Sequence, residues 1–352
     1  MITRIDALSD AHERLAGYAY IDGPGFAFHG PMGAEALSSA GYDDLVAEWI
    51  EAYKAGHEPI AAPPTHDRID PDDEASWRPA LGEPARVSDW AAAFDRQLRD
   101  QHWPAVLQRW VPRLLPGYAG GLTHGLLRTA HAVRALPGEG PPPDLLLTEL
   151  ARGLAYWAAT FTALPGRPEL GGSLGLDEAI AGVPRPDEPW TPIEAGTFAR
   201  IGELPAFPDA VAALGPPGDA GAALSDLTAA FCGLVLRKPA VVVGPIHAVT
   251  PAAAMRTLLP YLPAPRVASA YAQLWHVGAA IVAGFAPPGG PVTPDEAGVP
   301  AAAPAEILAR AAAHRDTHAV KFAEACVREH AIRPDPVYLL AAEHVLATLP
   351  PW

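Results

Sequence analysis

The sequence predicts an all-α fold, and three observations carry the prediction. Apolar residues recur at intervals of three and four through long segments, the spacing that lines one face of a helix. Strand-like runs are scarce, the best being the β-branched stretch Ala240-Val-Val-Val243. In addition, 41 prolines and 32 glycines gather in clusters that read as joints between helices. With 352 residues and 49% hydrophobic content the chain has ample material for one continuous core. A single large multi-helix domain over residues 1–352 is therefore expected.

Taken in order, helical periodicity runs over residues 35–53, 88–109, 122–136 and 143–164, then over 191–201, 206–214, 220–236, 251–262, 265–285, 304–329 and 335–349. Three starts carry local signals. Ser88-Asp89 offers a capping side chain before Trp90, while Thr250-Pro251 and Asp335-Pro336 each pair a cap with a proline suited to a first turn. Proline- and glycine-rich segments at 58–84, 137–143 and 286–304 are expected as surface loops, because histidines on both sides of them read as serving one site. No internal repeat is seen.

Composition narrows the function. A net charge of −15, without any basic cluster interleaved with aromatics, argues against a nucleic-acid partner. Cys232 and Cys326 are isolated in sequence, so neither a zinc ribbon, a thioredoxin-like site nor a disulfide framework is expected. The first ten residues lack the apolar core of a signal peptide and no run of about 18 apolar residues suggests a membrane span, so a cytoplasmic location is expected. The oligomeric state stays open.

The placement of histidine and lysine points to a metal centre. In Ala311-Ala-Ala-His314-Arg-Asp-Thr-His318-Ala-Val-Lys321, steps of four and three put His314, His318 and Lys321 on one face of the expected helix. Two imidazoles so placed are half of a metal site, and His29, His124 and His247 stand in similarly apolar settings. A histidine-lined central site assembled from several helices is expected. Lysine is scarce: among 25 basic residues only Lys54, Lys238 and Lys321 are lysines. A buried ammonium, unlike a guanidinium, can shed its proton and then act as nucleophile, base or, after reaction with carbon dioxide, carbamate ligand.

Each histidine has its own setting. His29 stands two residues before Pro31, at a helix mouth, and His247 follows Gly244-Pro245 in a similar place. His124 and His131 are seven residues apart, about 10 Å along a helix. One metal rarely takes both, which leaves His131 to bind substrate, to support a ligand or simply to pack. His276, beside Trp275, reads as a packing residue. Carboxylates near these positions are limited to Glu35, Asp316 and Glu324, so the sphere is rich in nitrogen. Such a sphere suits iron, copper, nickel or zinc rather than magnesium or calcium.

Competing motifs fail on context. Gly171-Gly-Ser173-Leu-Gly175 matches a nucleophile elbow, but it follows the loop-like Pro165-Gly-Arg-Pro-Glu-Leu170 rather than a strand. No dinucleotide-binding glycine fingerprint, no phosphate-binding loop and no flavin motif is present.

Five pieces of sequence, in this order, resemble the questin oxidase family over nearly the whole chain. They are His29-Gly-Pro-Met32 with Ala36-Leu37; Thr123-His124-Gly-Leu-Leu-Arg128 with Ala132-Val-Arg-Ala-Leu136; Glu149-Leu-Ala151 with Ala155-Tyr-Trp-Ala158; His247-Ala-Val-Thr250; and Asp316-Thr-His318-Ala-Val-Lys321. The resemblance implies a mostly helical oxidoreductase of polycyclic aromatic polyketides such as anthraquinones. Its reaction would insert oxygen beside a carbonyl, in the Baeyer-Villiger manner, or cleave a ring carbon-carbon bond. It further implies His29, His124, His247, His318 and Lys321 as metal ligands, with non-haem Fe(II) activating O2 in place of a flavin. A need for NADPH stays open. Arg128, His131 and Arg134 are expected near the substrate anion, Lys321 has a catalytic role in view, and Tyr156, Trp157 and Trp275 are expected as stacking surfaces for a flat ring. Two other classes remain: a zinc-dependent hydrolase or lyase built on the same histidines, and a non-catalytic helical protein in which they only pack.

Overall fold

The structure, a computed structural model, describes residues 2–22, 25–187, 190, 197–237, 243–286, 289–292, 296 and 302–350. The fold is all-α, as the periodicity predicts, with one two-residue antiparallel hairpin as its named sheet. By its internal packing the chain divides into two compact units, residues 1–163 with 257–263 and residues 164–256 with 264–352. Among the described residues no helix is long and apolar enough to cross a membrane.

The first unit opens with α1 (Arg4–Arg14), which the sequence reading passes over. Thr3 caps it by accepting the Asp6 N–H. The hairpin β1 (Ile21–Asp22) and β2 (Phe26–Ala27) leads into α2 (Gly30–Ser39) and α3 (Val46–Ala55). These replace the single helix expected over 35–53. The chain turns because Tyr42 N–H donates to Leu37 O and Gly41 N–H to Ser38 O, the Schellman closure of a helix end.

Short α4 (Glu74–Trp77) precedes α5 (Val87–Asp100) and α6 (Trp103–Leu114). The expected 88–109 helix is broken ahead of Pro104, whose ring would meet the carbonyl four residues back and whose nitrogen has no proton to give. Asp89 is no cap. Its carboxylate accepts from the backbone N–H of His66 and Asp67 and pairs with Arg86, pinning the 58–84 loop. The unit closes with α7 (His124–Ala135) and α8 (Asp144–Ala159), which pack on each other, with α5 against α8 and α2 against α7.

Trp90, Phe94 and Trp110 form its aromatic core, with Trp90 and Trp110 edge to face at 5.3 Å. The close approach of α7 to α8 depends on Gly125, where a β-carbon would lie 2.6 Å from Trp157 Cα. Gly125→Ala is expected to destabilise the chain by about 1–3 kcal/mol, read as a lower thermal midpoint, because a backbone atom cannot yield as a flexible side chain can.

The second unit contains α9 (Leu176–Gly182), α10 (Phe207–Ala212), α11 (Ala220–Leu236), α12 (Val243–Leu258) and α13 (Ala264–Phe285). It ends with α14 (Pro304–His314), α15 (Thr317–Ile332) and α16 (Pro336–Thr348). Helix α15 packs on α14 and α16, and α11 packs on α13 and α16. Buried Glu329 of α15 accepts from Arg256 Nε at 2.8 Å, while Arg256 Nη2 reaches Ser225 Oγ of α11 at 2.6 Å. Cys232 of α11 and Cys326 of α15, isolated in sequence, meet as buried free thiols with Sγ atoms 3.9 Å apart.

Several expectations change in this unit. Thr250-Pro251 is not a helix start: α12 begins at Val243, and the Thr250 hydroxyl donates to Ile246 O one turn back. The proposed strand falls mostly on residues 240–242, outside the described ones, and Val243 is helical. Residues 191–196 also lie outside, and Thr197–Glu203 is a 3₁₀ helix. The 304–329 segment breaks because Arg315 is left-handed at φ 68° and Asp316 caps a new helix through His318 N–H and Ala319 N–H. Asp335-Pro336 is a cap with first-turn proline, as expected.

Candidate histidine metal centre

In the first unit the hairpin delivers His29 to the N-cap of α2, with Pro31 in its first turn. His124 is the first residue of α7, following a turn of residues with positive φ. Their rings meet edge to face with centroids 4.6 Å apart, and the two Nε2 atoms are 2.9 Å apart. His124 Nδ1–H donates to Gly121 O at 2.6 Å, which places the ring proton on Nδ1 and the lone pair on Nε2. Both histidines are buried.

The second unit holds the other pair. His247, in the first turns of α12, donates Nδ1–H to Val243 O at 2.6 Å and lies edge to face with His318 at 5.7 Å. His318 stands in the first turn of α15, its backbone N–H on the Asp316 carboxylate at 2.8 Å and its Nδ1 3.6 Å from the same oxygen. Burial, the neighbouring His318 and Lys321 push the His247 pKa well below its ordinary value, against the opposing bond to Val243. Burial also lowers His318, with Lys321 adding to it and Asp316 opposing. Both rings are therefore neutral at neutral pH, the form that binds a metal.

Lys321 lies one turn beyond His318 and is 5% exposed. Burial drives its ammonium from 10.5 down to about 7, with Asp316 opposing. Glu324, one turn further on, pairs with Arg328 at 3.1 Å.

The donor chemistry fits a transition-metal ion. His29, His124 and His318 each offer a ring nitrogen suited to one. His124 and His247 anchor Nδ1 on main-chain carbonyls, the arrangement that orients metal-ligating imidazoles.

The remaining expected residues are elsewhere. His314 ends α14 and donates Nε2–H to Leu349 O, so it does not share the face of His318 and Lys321. Arg128 is engaged within the fold: Nε and Nη2 bind the Glu149 carboxylate at 2.6 and 3.0 Å, and Tyr20 O and Ala19 O take further N–H groups. His131 donates to Glu35 at 2.6 Å, and Arg4 and Arg134 hold the same carboxylate. Arg128 and His131, expected near a substrate anion, thus stand in buried charge networks of the first unit.

Tyr156, Trp157 and Trp275 are at most 1% exposed and belong to the core; Trp275 donates to Val211 O. His276 donates to Pro165 O, a packing role as expected. Ser173 sits exposed in an extended loop, not on an elbow. A cavity of about 340 Å³ in the second unit, lined by Leu176, Asp177, Glu178, Asp226, Asp335 and Val337 among others, contains none of the histidines.

The carbonyls of Gly121 and Val243 escape sequence reasoning, because no residue type announces a main-chain acceptor. No protein-family model and no curated protein matches the chain, so the histidine pairs and Lys321 are themselves what speaks for a metal centre.

Proposed function

We propose that the chain is a metal-dependent oxygenase of polycyclic, anthraquinone-like aromatic rings, with iron bound through the imidazoles described above. The observation that carries the reading is that each unit pairs two imidazoles, one of them buried and anchored through Nδ1 on a main-chain carbonyl. The resemblance described above supplies the substrate class. When bound, the ion would supply activation of O2.

The chain's own residues set the surroundings. Main-chain carbonyls keep a proton on Nδ1 of His124 and His247, leaving Nε2 to donate its lone pair. Asp316 holds the backbone of His318 and biases its Nδ1 in the same way. Lys321, with its pKa near 7, presents a substantial fraction of free amine at neutral pH. That amine can add carbon dioxide to give a carbamate and one released proton, and the carbamate oxygen would offset the charge of the ion among neutral ligands. Labelled bicarbonate would report it as a carbamate ¹³C resonance absent in Lys321→Arg.

Metal analysis of protein prepared without a histidine tag tests the reading. Bound iron is expected, and its loss in His124→Ala or in His318→Ala identifies the histidine pair that holds it. Stoichiometric zinc would favour the hydrolase or lyase. No metal after anaerobic iron reconstitution would overturn the centre as proposed.

A further inference from the structure

The turn that leads into His124 is unusual for a buried segment. Gly121, Leu122 and Thr123 have φ of 56°, 52° and 68°, three successive left-handed residues. Leu122 and Thr123 are two of the three non-glycine residues with positive φ among the described ones, and both are buried. A β-branched residue in this conformation is strained. Thr123 also forgoes the bond that a threonine N-cap usually makes: its side chain caps nothing, and its buried hydroxyl has no partner among the described residues. Locally the turn therefore has two costs and no compensation.

The compensation lies at the histidine. The turn folds Gly121 O back over the start of α7, where one oxygen meets both the backbone N–H of His124, at 3.4 Å, and its ring Nδ1–H, at 2.6 Å. Helix α8 holds the turn from behind. A β-carbon at position 121 would come within 2.3 Å of Tyr156 Oη, and that hydroxyl is itself tied to Gly25 O in the hairpin that delivers His29. Thus one phenol braces the segments in front of both histidines.

We propose that Gly121 is a positioning residue: the strained turn 121–123 exists to lock His124 as its Nδ1–H tautomer with Nε2 aimed at His29. The inference rests on the reading of His124 as a metal ligand and extends it to the residues that make the ligand competent. Backbone strain concentrated beside a functional side chain is its physical signature, and an outer hydrogen bond that fixes ring and tautomer is its means.

Two measurements test it. Long-range ¹H–¹⁵N spectra of the metal-free chain, with His124→Gln for assignment, should show His124 protonated on Nδ1. His247, anchored separately on Val243 O, serves as internal reference. In Gly121→Ala, which places a β-carbon against Tyr156, and in Thr123→Gly, which frees the turn without a clash, the His124 signal should move toward the Nε2–H form while that of His247 stays. Cobalt(II) titration of the same proteins should show affinity falling about 10- to 100-fold. Loss of the first unit's fold would also move the signal of His131, held on Glu35 in the same unit, which separates it from loss of positioning. Wild-type His124 protonated on Nε2 would overturn the inference, as would Thr123→Gly with unchanged tautomer and affinity. A wild-type chain that binds neither cobalt nor iron would instead bring down the metal reading on which the inference rests.

Discussion

Glu149→Gln is expected to lower the unfolding free energy by about 3–5 kcal/mol, read as a fall in the urea midpoint at unchanged slope. The Arg128–Glu149 pair is 0% and 3% exposed and bidentate, so removing the carboxylate strands a guanidinium that cannot reach water. A double replacement, Arg128→Met with Glu149→Leu, should recover most of the loss, because the desolvation of both charges disappears with the pair. The same chemistry makes the first unit acid-sensitive. Burial works to raise the Glu149 carboxyl, yet Arg128 holds it below its ordinary 4.5. Glu35 is likewise held far below by Arg134, His131 and Arg4 against the opposing effect of burial. Both carboxyls have folded values below unfolded ones, so their contribution is full above about pH 4.5 and is lost as pH falls through the folded values.

Lys321→Met is expected to act in the opposite direction and to stabilise the metal-free chain. Depression of the ammonium from 10.5 to about 7 corresponds to about 4–5 kcal/mol against folding below pH 7, where both states carry the proton. Between pH 7 and 10.5 the unfolded chain binds a proton that the folded one lacks, so stability should rise with pH across that window. Above it the penalty is gone. Chemical denaturation as a function of pH would show this slope in the wild type and its loss in Lys321→Met. A flat wild-type profile would mean that Lys321 finds water or a counter-charge in solution. A stabilising replacement that also removes metal would identify a residue kept for chemistry at the expense of the fold.

The helices were legible because burial on one face imposes a period that survives in sequence, and 220–236 matches α11 at both ends. Their interruptions were less so. Arg315 adopts a left-handed conformation that nothing in its side chain foretells, and this break separates His314 from His318. Thr250-Pro251 has the local chemistry of a helix start, but a helix already running from Val243 tolerates it. At the site, the pairings of His29 with His124 and of His247 with His318 could not be read from the motifs, because each joins residues far apart in the chain. The partners of Arg128 and His131, Glu149 and Glu35, were not legible, because only the packing of α7 on α8 and α2 brings them there.

The carbonyl anchors of His124 and His247 have a consequence for how this protein can be dissected. An alanine scan removes side chains and leaves every main-chain oxygen in place, so it would find the imidazoles and pass over what orients them. The information that sets their tautomers is stored as backbone dihedral angle, in a three-residue turn and the first turn of a helix. Only changes that alter the path of the chain, such as a β-carbon at 121 or new freedom at 123, can reach it.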